Sequence, residues 1–201
     1  MRLSPPKKIV LLGMMTKIPV AGNVWLVAHY LVGLKRLGYD VYYVEAHART
    51  PSMLMESKAD DSSQKAAAFI ERVMRRFDLS DRWAFHALHD DGHCYGLSDV
   101  QLQQLYESAE LIINLHGGTV PLEEHCATGR LVYLETDPVE LEIEMYDQQP
   151  QSIEFFNTHN AFFTWGLNYG RPDCRVPLPD GVDFRPSPPP VICDFWDDHP
   201  L

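Results

Sequence analysis

The stretch that decides the fold is LLGMMTKIPVAGNVWLVAHYLVGLKRLGYDVYYVEA, residues 11–46. Its first residues continue an apolar run that begins at Lys8. A loop with Pro19 and Gly22 follows, and after this loop the spacing of the apolar residues changes. An unbroken apolar run that is bounded by a loop is typical of a strand buried on both faces, as in a parallel sheet. The stretch therefore predicts a strand at 8–14, followed by a ligand-binding loop.

A helix is predicted after this loop, because apolar residues then recur every three or four positions. They are Val24, Val27, Leu31, Leu34 and Leu37. This period places them on one face of a helix. Asn23 suits the N-cap, and Gly38 suits the position after the C-terminus. The β-rich run at 39–46 completes one βαβ unit, whose crossover we expect to be right-handed.

The same alternation continues along the chain. Further helices are predicted at 64–77, 97–109, 121–128, 138–146 and 151–158, and further strands at 82–88, 110–115, 130–135 and 161–166. Ser98 and Gln101 form a capping-box signature, and Pro121 suits the first residue of a short helix. The pattern predicts an α/β fold that is doubly wound and Rossmann-like. We expect a mainly parallel sheet of about six strands with helices on both faces.

The composition changes after Gly170, since eight of the 15 prolines fall in residues 171–201. A run such as SPPP favours an extended, semi-rigid backbone. The apolar residues near its end need a surface to cover. They either dock back on the first domain or lead to a second one. We predict a Rossmann-like N-terminal domain at 1–170 and a proline-rich extended tail or interdomain linker at 171–201.

Charge and composition exclude several partners. The formal net charge of the 201 residues is −11, which works against binding a nucleic-acid backbone. No stretch of 18 uninterrupted apolar residues occurs, so we expect no integral membrane segment. The four cysteines are far apart and form no CxxC pair, which favours free thiols and a cytoplasmic location.

Ligands of doubly wound sheets bind beyond the carboxyl ends of the strands, near the point where the strand order reverses. Gly22 and Asn23 stand there at a predicted helix N-terminus, whose free N–H groups accept phosphate or carboxylate. The alternative is a glycine needed only for the turn. Glu45 ends the second strand, where a dinucleotide enzyme places a ribose-binding acid, but the spacing from Gly13 to Gly22 does not fit GxGxxG. We expect no cofactor.

The run NLHGGT, residues 114–119, is the sharper feature. Gly117 and Gly118 allow a tight turn and a close approach to a ligand, and Thr119 completes the candidate substrate-binding loop. His116 is expected to point into the cleft as a base or a hydrogen-bond donor. His47 is expected to face the same cleft. The alternative is a plain tight turn with a solvated histidine.

Two further groups of polar residues are candidates. Glu135 and Asp137 follow the next strand, where they are candidates for substrate binding or acid–base work, although Asp137 also suits a helix cap before Pro138. The segment HALHDDGHCYG, residues 86–96, concentrates histidines and one cysteine. Its spacing matches no closed zinc motif, so we expect a polar loop and no metal site.

The order of these features resembles the N-terminal half of a GT-B glycosyltransferase. The resemblance rests on the opening βα unit with its Pro/Gly loop, on LKRLGYDVYYVEA at 34–46, on LHGG at 115–118 and on the proline-rich exit. It covers roughly residues 7–196 and is carried by diffuse motifs.

The resemblance implies two Rossmann-like domains that face a cleft. The N-terminal domain would bind a small-molecule acceptor, and the C-terminal domain would grip a nucleotide-sugar donor without a metal. Gly22 and Asn23 would approach the donor phosphates, and His116 or His47 would be the catalytic histidine of the cleft. The donor-binding motifs of the second half do not occur here. We therefore expect a truncated enzyme half that is incomplete without a C-terminal domain or a partner chain.

Two other functions stay open from the residues alone. The chain could be a non-catalytic Rossmann-like module for a small anionic ligand or a partner protein. It could also be a nucleotide binder of the dehydrogenase type.

Overall fold

Eight strands form a single sheet in the computed structural model, which describes residues 5–197. The strands are β1 (Lys8–Leu12), β2 (Asp40–Ala46), β3 (Trp83–His86), β4 (Cys94–Gly96), β5 (Leu111–Leu115), β6 (Leu131–Glu135), β7 (Ala161–Thr164) and β8 (Phe184–Pro186). The helices are α1 (Ala21–Arg36), α2 (Ser62–Arg76), α3 (Asp99–Ser108), α4 (Glu123–Cys126), α5 (Glu140–Tyr146) and α6 (Pro150–Asn157). Two 3₁₀ turns lie at Ser52–Leu54 and Cys193–Trp196.

The strand order is β4-β3-β2-β1-β5-β6-β7-β8, and all neighbours are parallel except β3 and β4. The chain builds outward from β1 on one side and then returns through α3 to build outward on the other side. The order therefore reverses between β1 and β5, which is where such sheets bind ligands. The predicted fold class is confirmed.

The sheet has eight strands rather than the expected six or so. The two additional strands, β4 and β8, are three residues long and lie at the two edges. So short a strand shows too few residues for an alternating pattern, which explains why the sequence analysis treated them as a polar loop and a tail.

Helices cover both faces of the sheet, as predicted. Along β1, Leu11 faces α1 and α2, where it packs in one cluster with Leu31 and Ile70. Its neighbours Val10 and Leu12 face α3 in the second cluster. Successive side chains of a strand point to opposite faces, so a strand between two helical layers must be apolar throughout. The continuous run in the sequence is the direct consequence.

Two predicted helix starts are wrong. Helix α1 begins at Ala21 with Val20 as its N-cap, so Asn23 lies within the first turn. The Asn23 amide instead donates to the carbonyl of Ile18, at 2.9 Å, and so fixes the preceding loop. Helix α4 begins at Glu123, two residues after Pro121.

The capping box of α3 is confirmed. The backbone N–H of Ser98 donates to the Gln101 side chain at 2.9 Å, and the N–H of Gln101 donates back to the Ser98 hydroxyl at 3.4 Å. These two bonds satisfy donors that a helix start would otherwise leave free.

The described end of the proline-rich segment docks on α1. The backbone N–H of Ile192 donates to His29 at 3.1 Å, and Arg36 forms a two-bond ion pair with Asp194 at 2.7 and 2.8 Å. The Trp196 ring lies 5.2 Å from that of Trp25. Together with β8, these contacts place the segment up to Asp197 against the domain.

Two observations bear on the environment of the protein. Within residues 5–197, the helices are too short or too polar for any of them to cross a membrane. All four cysteines carry free thiols, in agreement with the sequence analysis.

Candidate functional site

A cleft of about 480 Å³ opens at the carboxyl edge of the sheet, where the strand order reverses. Its lining residues come from the loop after β1, from the start of α1, from the ends of β5 and β6, and from α5. They include Met14, Gly22, Asn23, His116, Tyr133, Thr136, Asp137, Glu140 and Glu144. Two somewhat larger grooves, of about 560 and 610 Å³, share no lining residue with this cleft. Topology rather than size therefore identifies the candidate site.

His116 is the most unusual residue of the cleft. Its backbone has a φ of 63°, a left-handed conformation that few residues other than glycine adopt. Its ring Nδ1 is hydrogen-bonded to the Thr136 hydroxyl, while its Nε2 is buried and has no partner among the described residues. Burial lowers the pKa of His116 to about 4, so the imidazole is neutral near pH 7. Strained residues of this kind often occur at functional sites.

The two glycines after His116 are needed for close packing. A Cβ added to Gly117, whose φ is 65°, would lie 3.0 Å from Phe155 and 3.1 Å from Tyr133. A Cβ added to Gly118 would lie 2.8 Å from Met14. The backbone of this turn therefore lies so close to its neighbours that a larger residue would clash, as the double glycine predicts.

The structure brings together only part of the predicted site. Gly22, Asn23, His116 and Asp137 line the cleft, and Gly117 and Gly118 form the turn beside it. The other three predicted residues, Thr119, Glu135 and His47, are at most 5% exposed and are not among the lining residues.

Each of these three residues forms hydrogen bonds inside the protein. The backbone of Thr119 exchanges hydrogen bonds with the Asn114 side chain, at 2.9 and 3.4 Å. Glu135 accepts a hydrogen bond from the Thr164 hydroxyl. His47 contacts Glu45 through Nε2 at 3.0 Å. Sequence position alone did not reveal that these side chains turn inward.

A buried carboxylate, which the sequence suggests only as a ribose-binding acid, fixes the loop after β1. Glu45 is fully buried and accepts hydrogen bonds from the Thr16 N–H at 2.9 Å and from the Tyr43 hydroxyl at 2.6 Å. The Thr16 hydroxyl also donates to Glu45. The N–H of Met15 donates to Tyr43 Oη at 3.0 Å. Glu45 is thereby occupied, which argues against a ribose-binding role and against the dehydrogenase-type alternative.

Gly13 and Gly22 offer a matched test of this loop. A Cβ on Gly13 would lie 2.5 Å from the Tyr43 ring, which its hydrogen bonds hold in place, whereas a Cβ on Gly22 would meet nothing within 4 Å. We expect Gly13→Ala to lower the free energy of unfolding by about 1–3 kcal/mol through overpacking. Gly22→Ala should raise it by up to about 1 kcal/mol, since alanine favours helix. Urea denaturation of both variants measures the difference, and equal stabilities would contradict the fixed position of Tyr43.

Glu135 and Glu142 form a buried carboxyl pair below the cleft, at 1% and 0% exposure. Burial raises the pKa of Glu135 to about 8, and the neighbouring Glu142 acts in the same direction against the Thr164 hydrogen bond. A second carboxyl close by makes ionisation of Glu135 still less favourable. Glu135 therefore carries a proton near pH 7 in the folded protein.

The protonated state of Glu135 predicts a pH dependence of stability. The unfolded carboxyl ionises above about 4.5, while the folded one keeps its proton until about pH 8. Stability should therefore fall as the pH rises from about 5 to about 8, by up to about 1.4 kcal/mol per pH unit, and level off above that range. Glu135→Gln should flatten this decline in thermal denaturation, and the exposed control Glu154→Gln should keep it. An unchanged slope in Glu135→Gln would contradict the assignment.

The charge of the cleft restricts its ligand. Asp137, Glu140 and Glu144 contribute three carboxyl groups, and no lysine or arginine occurs among the lining residues within the described chain. The first N–H groups of α1, near Gly22, have no acceptor within the helix and are hydrogen-bond donors at the mouth. Such a lining suits a neutral, hydroxyl-rich ligand better than a strongly anionic one.

Comparison with known proteins assigns no family. No protein-family model matches the sequence, and no curated protein is significantly similar to it. The functional conclusion therefore rests on the geometry of the cleft and on the resemblance described above.

Proposed function

We propose that this chain is the acceptor-side domain of a GT-B glycosyltransferase and that the cleft at His116 binds the acceptor. The observation that carries the proposal is the position of His116. Its neutral imidazole lies at the point of strand reversal beside Asp137, in a cleft lined by carboxylates and open to a ligand.

The lining has the groups that a sugar or another polyol requires. The carboxylates of Asp137, Glu140 and Glu144 accept hydrogen bonds from hydroxyl groups. The ring of Tyr133 and the side chain of Leu141 offer apolar surface to the face of a sugar ring. Sites of this kind combine apolar walls with a few well-placed polar groups.

His116 has a defined role in this proposal. In a direct displacement, the acceptor hydroxyl attacks the anomeric carbon of the donor sugar while the bond to the nucleotide phosphate breaks. The hydroxyl proton passes to Nε2 of His116 as the new C–O bond forms. Because Nε2 is buried and has no partner among the described residues, this step requires that acceptor binding opens this nitrogen to the cleft. The Thr136 hydrogen bond holds the ring in orientation. Because its pKa is about 4, His116 is a weak base. We therefore place its contribution to the reaction rate at the low end of the range for general-base catalysis.

The donor would be held by polypeptide outside this domain. The GT-B resemblance assigns the nucleotide sugar to a second domain, either in the same polypeptide or in a partner chain. The N-terminus of α1 at the mouth of the cleft, near Gly22, would then face the donor phosphates from the acceptor side. The described part of the tail contributes no residue to the lining of this cleft, since it pairs with β7 through β8 and docks on α1 near Ile192 and Asp194.

The alternative is a non-catalytic module for a small anionic ligand or a partner protein. The α1 N-terminus favours an anion, but the three carboxyl groups of the same cleft oppose one. We therefore rank this alternative second.

A transfer assay separates the two functions. The complete polypeptide encoded by the gene is incubated with nucleoside-diphosphate sugars and a panel of carbohydrate acceptors. The glycosyltransferase proposal predicts nucleotide release that depends on an acceptor. Ligand binding in the cleft with no transfer from any donor would favour the binding module.

A further inference from the structure

We propose that His86, Cys94 and Asp99 form a zinc-binding site at the β3–β4 edge of the sheet. One ligand atom from each of these residues lies within 4.8 Å of the other two. None of the three lines the cleft, so the site is separate from the proposed acceptor site.

The fold brings the three residues together from two strands and a helix. His86 ends β3, and Cys94 begins β4 directly opposite it in the antiparallel pair. Residues that face each other across antiparallel strands point to the same side of the sheet, about 4.5–5.5 Å apart at Cβ. Asp99 is the first residue of α3, which packs on this side. The sequence spacing matches no zinc motif because β-pairing, rather than one helix or loop, aligns the ligands.

The unmet hydrogen-bonding capacity of His86 points to a ligand. Its Nδ1 is buried and has no hydrogen-bond partner among the described residues. Cys94 is only 7% exposed, while Asp99 is exposed at the rim. An unpartnered buried polar atom destabilises the folded protein. A cation bound through Nδ1 of His86 would give this atom a partner.

The donor set selects zinc among common divalent ions. A thiolate, an imidazole and a carboxylate are all zinc ligands, whereas magnesium and calcium prefer oxygen alone. Tetrahedral bonds of about 2.0–2.3 Å place ligand atoms roughly 3.5 Å apart, so small side-chain rotations would close the site. A solvent molecule would complete the tetrahedron beside the exposed Asp99. The ion would tie the β3–β4 hairpin to α3.

Titration of the metal-free chain with Co²⁺ tests the site. Cobalt replaces zinc in such sites and gives a thiolate-to-metal charge-transfer band in the near ultraviolet. We expect this band to saturate at one equivalent and to disappear when Zn²⁺ is added. Zinc should also raise the melting temperature, and magnesium at the same concentration should not. The absence of saturable Co²⁺ binding by the unaltered chain would overturn the proposal.

Variants assign the ligands. Cys94→Ser should abolish the charge-transfer band. Asp99→Asn should weaken Co²⁺ binding by at least roughly 10- to 100-fold, because loss of a residue that only supports a metal ligand already lowers metal affinity by that factor. Cys126→Ser and His93→Gln, which change residues outside the cluster, should bind as the unaltered chain does. If Cys94→Ser does not fold, Asp99→Asn decides, because its side chain is exposed at the surface. An unchanged affinity in Asp99→Asn would overturn the site.

Discussion

Replacing Glu45 with alanine is expected to lower the free energy of unfolding by about 3–5 kcal/mol. The variant leaves the Tyr43 hydroxyl and both donors of Thr16 without their acceptor inside the protein. Each buried donor that loses its acceptor costs about 1–3 kcal/mol. Urea denaturation followed by fluorescence of the tryptophans measures the loss.

The matched control for this variant is Glu45→Gln. Glutamine keeps one carbonyl acceptor at the same position, so it should cost clearly less than alanine. The two variants also test the link from the buried network to the cleft, because the loop that Glu45 fixes contributes Met14 to the lining. A loss below about 1 kcal/mol in Glu45→Ala would show that the network does not hold the loop.

Under the proposed transferase function, His116→Asn in the complete polypeptide is expected to lower kcat/KM about 100-fold with little change in the fold. Loss of a general base costs roughly 10²–10⁴-fold, and the low pKa of His116 places the effect at the lower end. Asparagine is chosen because it tolerates the left-handed backbone that His116 adopts, at φ 63°. Initial rates with a nucleotide sugar and its acceptor measure the effect.

The pH profile distinguishes this role from a merely structural one. A base with a pKa of about 4 in the free protein predicts a kcat/KM that is flat between pH 5 and 8 and falls below about pH 4. His116→Asn should lose this fall at low pH if His116 is the base, and should keep it if His116 is only structural. Thr136→Val, which removes the partner of the ring Nδ1, should disturb the orientation of His116 and lower the rate less than His116→Asn does. Unaltered kinetics in His116→Asn would remove His116 from the reaction.

The sequence predicts the fold because the interior strands are buried on both faces. The apolar run of β1 and the period of α1 each have one physical interpretation, and together they specify a βαβ unit. The edge strands β4 and β8 lack such a signal, since three residues cannot show a period. Their pairing is determined by the neighbouring strands of the folded sheet.

The candidate site is only partly predictable from the sequence. Strand ends and the double glycine identify His116 and Asp137, because topology places every such loop at the same edge. The direction of a side chain at a strand end is set by packing, which a single sequence does not display. Glu45 and Glu135 look equally accessible in the sequence, yet both are buried. The pairing of His86 with Cys94 likewise requires the β3–β4 register.

NMR of the 201-residue chain with added ligands decides whether the cleft at His116 is an acceptor site. The backbone amide signals of His116, Gly118 and Asp137 are monitored while neutral saccharides, or nucleoside diphosphates, are added. We predict that saccharides shift these three signals and that nucleoside diphosphates leave them in place. Shifts caused by the nucleotides, with none caused by any saccharide, would contradict an acceptor site at His116.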